Sequence, residues 1–181
     1  MPPFRTNSIL IEPDPLLRKK AGDIAVSEIT KSTIQHLIKK MAGILMGAEN
    51  GVGLAAPQIG VSKRIFIVLK PSYITEEKSN KENNKEKIDP IEKITVYINP
   101  VIINHSRKNM LIQEGCLSVP NMFGNTKRFE QVTLKAFNEK GKKFQRGASG
   151  ILSQIIQHEI DHLNGVLFLD IATNLKKYEK T

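Results

Sequence analysis

An apolar helical repeat near the C-terminus constrains the fold more than any other feature of this chain. Over residues 149–164, aliphatic side chains recur at three- and four-residue intervals, the spacing of one broad face of an α-helix. The positions are Ile151, Leu152, Ile155, Ile156, Ile160 and Leu163. Gly165 stands where helices commonly end in a left-handed residue. The repeat predicts a helix that buries one face.

The polar residues of this predicted helix form a metal-binding pattern. The segment QHEIDH carries His158 and His162 four residues apart, with Glu159 between them. Residues four apart share a helix face, so both imidazoles can bind one cation while Glu159 handles the proton of a bound water. An incidental pair of surface histidines is the alternative interpretation. The helical context and the intervening glutamate favour the metal site.

A catalytic metal site of this type needs a third protein ligand, and the single cysteine of the chain is the candidate. Cys116 lies in the segment EGCLS, and a thiolate is a strong ligand for a divalent metal. A lone cysteine is more often an inert core residue, so its combination with the histidine pair carries the prediction. Because a single cysteine excludes an intramolecular disulfide, the chain also fits a reducing compartment.

The rest of the chain predicts one more helix and several strands. Apolar residues at helical spacing predict an amphipathic helix over residues 34–45, with Ser27 or Thr30 as its N-cap. Strands are predicted at residues 64–69, 95–104, 109–113, 131–138 and 143–146. A helix, several strands and a second helix predict an α+β fold, with mostly antiparallel sheets packed around the central helix that carries HExxH.

A polar stretch interrupts this pattern at residues 74–93. It is rich in Glu, Lys and Asn and contains little to bury, which predicts a solvated loop rather than a second domain. A chain of 181 residues is long enough for one domain with a substantial core and short for two. We therefore expect a single catalytic domain over residues 1–181.

The charge balance is strongly basic. Lys and Arg total 27 against 18 Asp and Glu, which gives a formal charge of +9. This balance attracts polyanions such as RNA, although a solvated basic surface is the simpler explanation. No stretch is apolar enough to span a bilayer, and the N-terminus lacks the pattern of a signal peptide. These features predict a soluble cytoplasmic protein with no membrane or specific DNA partner.

A third segment, GVGLAAPQ at residues 51–58, combines small residues with a terminal amide. Its glycines and alanines leave room for a ligand backbone, and Gln58 can aim an amide donor at a developing oxyanion. On its own, the segment is more simply a turn after a helix. In this order, GVGLAAPQ, EGCLS and QHEIDH resemble the three signature motifs of the peptide deformylases, and the resemblance extends from Asp14 to Asp170.

This resemblance implies a deformylase-like fold in which Cys116, His158 and His162 hold one divalent metal ion. The implied native ion is Fe2+, and Zn2+, Ni2+ or Co2+ can occupy such a donor set. The implied reaction removes the formyl group from the N-terminal formyl-methionine of newly synthesised proteins and releases formate. Glu159 would act as the general base, with the Gln58 side-chain amide and the Leu117 backbone N–H stabilising the oxyanion.

The resemblance further implies an apolar pocket for the methionine side chain beside the metal-binding helix. The candidates for its lining are Val52, Ile112, Ile151 and Ile155, for which core packing is an equally good explanation. Gly53 is expected to pair with the peptide backbone as a strand does. Two departures from the family bear on substrate preference, since Gln154 replaces a frequent aliphatic residue and Phe123 a frequent arginine.

Three charged residues near the motifs are candidates to orient the metal ligands. They are Glu114, Arg128 and Asp161. Metal-bound histidines usually donate their second ring N–H to an acceptor, which a nearby carboxylate can supply. Surface ion pairing is the alternative.

The sequence leaves two other functions open. A zinc protease or aminopeptidase also carries HExxH but takes its third ligand downstream. In this chain, no histidine follows His162, and Glu179 is the one glutamate after Glu159. The other is a catalytically inactive deformylase-like protein that binds RNA or the ribosome, which the intact ligands and base disfavour. Ribosome association also fits an active enzyme, because a positive charge favours RNA and nascent substrates emerge there.

Overall fold

The computed structural model of this protein describes residues 8–70 and 89–178. In these ranges the helices are α1 Val26–Ile29, α2 Ser32–Gly47 and α3 Gly150–Leu163. The strands are β1 Gly53–Ala55, β2 Ile65–Leu69, β3 Ile94–His105, β4 Asn109–Cys116, β5 Val119–Phe129, β6 Gln131–Phe137, β7 Lys143–Ser149 and β8 Thr173–Lys177. All pairs between these strands are antiparallel, which confirms the predicted α+β class.

Five strands form the larger sheet, in the order β1-β2-β3-β6-β7. Its centre is apolar on both faces, as the β2 sequence IFIVL indicates. Ile65 and Ile67 pack in the core cluster that includes α2. Phe66 and Val68 pack in the cluster that includes Ile156 of α3. Because successive strand residues point to opposite faces, this uninterrupted apolar run holds a helix against each side of the sheet.

Helix α2 covers the predicted range and begins two residues earlier. Its buried residues are Ile34, Leu37, Ile38, Met41, Ala42 and Leu45. The predicted N-caps are wrong, because the residue before α2 is Lys31, which makes no side-chain capping hydrogen bond. Ser27 lies inside α1, and Thr30 is the C-cap residue that follows it. A separate helical turn, α1, therefore precedes α2 at the place where the N-cap of α2 was expected.

Helix α3 contacts both sheets. The smaller sheet has the order β4-β5-β8, and α3 contacts β5 of this sheet as well as β1, β2 and β7 of the larger one. The end of β4 carries Cys116 and the start of β1 is Gly53. This packing brings two segments that are distant in sequence to one place beside α3.

Three strands were not predicted. β1 is short, and β5 contains Gly, Asn and Lys among its apolar residues. All five residues of β8 are exposed, so its sequence TNLKK has no apolar alternation to detect. The end of the predicted polar loop forms a short 3₁₀ helix, Pro90–Lys93, capped by the Asp89 side chain. The remainder of that loop, up to residue 88, lies outside the described residues.

Within residues 8–70 and 89–178, no helix combines the length and the apolar character that a bilayer span requires.

Candidate metal centre

Cys116, His158 and His162 form a compact group of potential metal donors. The cysteine ends β4, and the histidines lie one turn apart on α3. One donor atom from each of the three residues lies within 4.8 Å of the other two. Cys116 Sγ lies 3.1 Å from His162 Nε2. Tertiary packing therefore brings the two sequence motifs to one point.

The donor set fits a divalent cation. Donors bound tetrahedrally to one ion at ~2.0–2.3 Å lie roughly 3.3–3.8 Å apart, close to the spacing seen here. Burial lowers the pKa of His162 well below its usual value, so its imidazole is neutral, as a ligand must be. A thiolate with two imidazoles suits Zn2+, Fe2+, Co2+ and Ni2+ and does not select among them.

A buried ion cluster fixes the orientation of His158. Glu114 Oε2 lies 3.2 Å from His158 Nδ1, which leaves Nε2 to face the donor group. Arg128 donates to both oxygens of Glu114, at 2.8 and 2.9 Å, and to Asp161 Oδ2 at 2.5 Å. Arg128 is 5% and Glu114 3% exposed, so surface ion pairing does not describe this pair.

The same cluster keeps Glu114 ionised. Burial alone would raise the pKa of Glu114, but hydrogen bonds from Arg128 and His158 lower it to about 2. The carboxylate therefore stays an acceptor for the ring N–H of His158 across the physiological range. Because Glu114 and Cys116 share β4 while His158 and Asp161 share α3, Arg128 also ties the two ligand-bearing elements together.

Glu159 is buried beside the donor group without a full set of partners. Within the described residues, no group hydrogen-bonds its Oε2. Burial raises the pKa of Glu159 to about 7, while the charge on His158 opposes the shift. A buried carboxyl that titrates near neutral pH can both accept and return a proton.

Gly53 makes room for this carboxylate. A Cβ at position 53 would lie 2.5 Å from Glu159 Oε1 and 3.1 Å from Ile155 Cγ2. Any side chain there would displace one of the two. The glycine of GVGLAAPQ therefore allows β1 to pass directly beside the catalytic candidate of α3.

The Gln58 amide is held on both sides. Its Oε1 accepts a hydrogen bond from the Ala55 N–H at 2.8 Å, and its Nε2 donates to Ser118 Oγ at 3.1 Å. Nε2 also lies 3.7 Å from Cys116 Sγ. The Gln58 amide nitrogen therefore faces the donor group. Ser118 was not predicted to have a role of its own, although its position two residues after Cys116 was a signal.

A cavity of about 440 Å³ opens onto these residues. Among the predicted pocket residues, Val52, Gly53, Ile151 and Ile155 line it, as do Gln58, Cys116, Leu117, His158 and Glu159. Ile112 is not among the described residues that line it. It lies in β4 opposite Thr126, and its neighbour Gln113, which does line the cavity, has its side chain on the other face of the strand.

Phe123 and Gln154 also line this cavity. A Cβ at Gly115 would lie 2.8 Å from the Phe123 ring, which also packs edge-on against Tyr178 with 5.2 Å between ring centroids. The Gln154 side chain donates to the Gln113 carbonyl at 3.3 Å. Both departures noted in the sequence therefore lie where they would face a ligand.

A Cys/His donor set that lines a cavity, with a buried carboxylate beside it, is the arrangement typical of metal-dependent hydrolases. The particular family follows from comparison with known proteins. A family model described as polypeptide deformylase matches residues 6–178. The chain belongs to the polypeptide deformylase family.

Individual relatives agree with this assignment. The chain is 45% identical over 157 residues to the peptide deformylase of Halothermothrix orenii, covering 87% of each sequence. It resembles the crystal structure of a peptide deformylase from Legionella pneumophila at a TM-score of 0.76 and 36% identity, covering 92% of this chain and 86% of that one. A class I type b peptide deformylase from Acinetobacter baumannii, bound to Met-Ala-Ser, matches at a TM-score of 0.75 and 31% identity, covering 90% and 96%.

Proposed function

We propose that this chain removes the N-formyl group from the N-terminal formyl-methionine of nascent peptides and releases formate. The observation that carries the proposal is the convergence of three metal donors and one buried carboxylate at a single cavity. Membership in the deformylase family supports the same reaction.

Cys116, His158 and His162 would hold the metal ion, with Fe2+ as the native ion and Zn2+, Ni2+ or Co2+ as substitutes. When bound, a divalent cation lowers the pKa of a coordinated water toward ~7 and polarises the formyl oxygen. Glu114 keeps His158 in the tautomer that offers Nε2. Three protein donors would leave a coordination position for water or substrate.

Glu159 is the proposed general base. Its unpartnered Oε2 takes a proton as water attacks the formyl carbon, and then returns it to the departing amine nitrogen. A pKa near 7 suits both steps, because neither gain nor loss of the proton is strongly unfavourable. The products are formate and a peptide with a free methionine amino group.

Gln58 and Leu117 are proposed to stabilise the oxyanion of the tetrahedral intermediate. The Gln58 amide is buried, and its Nε2 faces the donor group. Leu117 follows Cys116 directly and lines the same cavity, so its backbone N–H is the second donor. Each preorganised donor of this kind contributes about 3 kcal/mol of transition-state stabilisation.

The methionine side chain would occupy the apolar part of the cavity formed by Val52, Ile151 and Ile155. Gly53 lies in β1, the edge strand of the larger sheet, so a peptide can add to it as a further strand. The Met-Ala-Ser complex of the Acinetobacter baumannii deformylase contains a peptide of the kind that this reaction would release.

Formate release from N-formyl-Met-Ala-Ser by anaerobically purified, iron-loaded protein tests the activity. Rapid release by the wild type and its loss in Glu159→Ala would support the assignment. Unformylated Met-Ala-Ser is the substrate control, and its cleavage would indicate a peptidase. No release from protein with one metal ion per chain would favour an inactive binding module.

Ribosome association in the cytoplasm is a separate proposal, supported by the charge of +9 and by where formylated peptides emerge. Sedimentation with purified ribosomes at increasing salt tests it. Binding that weakens steeply with salt is expected. Absent or salt-independent binding would contradict it.

A further inference from the structure

The orientation of the Gln58 amide depends on two neighbours that lie outside the substrate cavity. The Ala55 N–H fixes the oxygen end at 2.8 Å, and Ser118 Oγ accepts from the nitrogen end at 3.1 Å. Gln58 is 2% exposed and Ser118 is fully buried. Water is therefore a poor substitute for either partner.

The number of hydrogen bonds that a primary amide nitrogen can donate limits the role of Ser118. Nε2 carries two hydrogens in the plane of the amide. Ser118 Oγ, 3.1 Å from Nε2, accepts one of them, which leaves the second for another acceptor near the donor group, where Cys116 Sγ lies 3.7 Å from Nε2. The serine hydroxyl thus fixes the rotation of the carboxamide plane, and the second N–H stays available to the substrate carbonyl oxygen.

The backbone of Ser118 is held independently of its hydroxyl. Its N–H donates to Cys116 Sγ at 3.4 Å, and its carbonyl accepts from the Glu12 N–H at 2.9 Å. Removing only the hydroxyl therefore leaves the chain path and the backbone contact to Cys116 Sγ in place. This separation makes the role of the hydroxyl testable.

We propose that Ser118 is a positioning residue, whose hydroxyl orients the Gln58 carboxamide so that one N–H points at the substrate oxyanion. The inference rests on the proposed deformylase function and extends it to a residue that does not touch the reacting atoms. Ser118→Ala should lower kcat about tenfold and leave KM nearly unchanged, because the oxyanion contact strengthens in the transition state.

A double-mutant cycle separates positioning from general structural support. Ser118→Ala is measured alone and in a Gln58→Leu background, in metal-loaded protein of verified stoichiometry. If the serine acts through Gln58, its substitution has no further effect on kcat in that background. An equal fold-loss in both backgrounds would overturn the proposal.

Ser153→Ala is the matched control. Ser153 is also fully buried, and its Oγ accepts from the Nε2 of a glutamine, Gln157, at 3.1 Å. Since that pair does not involve Gln58, any effect of Ser153→Ala should be the same in both backgrounds. If Ser118→Ala does not fold, Ser118→Cys replaces it, because a thiol is a weaker acceptor in a similar space.

A second measurement does not require turnover. In 15N-labelled, zinc-loaded protein, the two Gln58 side-chain hydrogens should have separate, protected resonances that shift or exchange rapidly in Ser118→Ala. Unchanged resonances would overturn the proposal. If wild-type protein released no formate, the proposed function would fail, while these spectra would still decide whether Ser118 orients Gln58.

Discussion

The Glu159 carboxylate occupies the space that a side chain at position 53 would need. A Cβ on Gly53 would lie 2.5 Å from Glu159 Oε1, a separation at which one group must move. Because Gly53 begins β1 and Glu159 lies on α3, this contact sets how closely the edge strand approaches the helix. The general-base candidate and the strand proposed to bind the peptide are therefore coupled.

Gly53→Ala should reduce kcat/KM at least 100-fold, because the added methyl displaces Glu159 from its place beside the donors. Overpacking should also lower the free energy of unfolding by about 1–3 kcal/mol. Formate release and urea unfolding measure the two effects. Gly43→Ala is the control, since a Cβ there meets nothing within 4 Å. It should keep full activity and slightly stabilise α2. Full activity in Gly53→Ala would contradict the assigned contact.

Glu159→Gln should stabilise the metal-free protein at alkaline pH. The folded-state pKa is raised from 4.5 to about 7, so the folded protein favours the protonated carboxyl. Stability is therefore lost as pH rises from 4.5 through 7, by about 3 kcal/mol in total. The variant avoids this loss, which corresponds to a melting temperature roughly 6–12 °C higher at pH 8. The difference should vanish near pH 4.5. Parallel melting curves across pH would refute the raised pKa.

Arg128→Met should destabilise the protein by about 3–5 kcal/mol, because it leaves the Glu114 carboxylate buried without its partner. It should also weaken metal binding about 10–100-fold, since Glu114 no longer holds His158 in place. Urea unfolding and Co2+ titration followed by its absorption bands test both effects. Lys108→Met removes an exposed ion pair with Glu130 and should change neither measurement. Unchanged Co2+ affinity in Arg128→Met would rule out the orienting role.

The Glu114 cluster should also appear in the acid stability of the metal-free protein. The folded-state pKa of Glu114 is lowered from 4.5 to about 2, so its contribution is present above pH 4.5 and is lost as pH falls toward 2. In Arg128→Met, the loss of stability at low pH should be smaller, because the stabilising partner of Glu114 is already absent. Free energies of unfolding measured between pH 2 and 6 decide the point. An identical loss of unfolding free energy at low pH in both proteins would exclude Arg128 as its cause.

Removing the metal should lower the melting temperature reversibly. A ligand that binds only the folded protein at 100 times its Kd stabilises it by about 2.7 kcal/mol. Calorimetry before and after chelation, followed by Zn2+ addition, measures this shift. Cys116→Ala should lose most of this shift in melting temperature, since it removes one of three donors. A full response in that variant would exclude Cys116 as a ligand.

Local patterns of apolar residues predicted much of the secondary structure. The apolar spacing predicted α2 and α3 closely, and the IFIVL run predicted β2, because burial on one or two faces leaves a periodic trace. β8 left no such trace, since all its residues are exposed. The error in the α2 cap has a similar origin, because the separate turn α1 precedes Lys31 without any distinct signal.

The sequence by itself determined the chemistry available to this protein. It placed two histidines and a glutamate on one helix turn and supplied a single thiol. The resemblance of three short motifs identified the family. These properties are local, because helix periodicity and residue type alone produce them.

Only the tertiary structure decided how these groups meet. It brought Cys116 within 3.1 Å of His162, buried Arg128 against Glu114, and placed Ser118 behind the Gln58 amide. Ile112, which was predicted to line the cavity, is not among its described lining residues, whereas its neighbour Gln113 is. Such contacts join strands and helices far apart in the chain, and they depend on sheet register and packing, which no short stretch of sequence encodes.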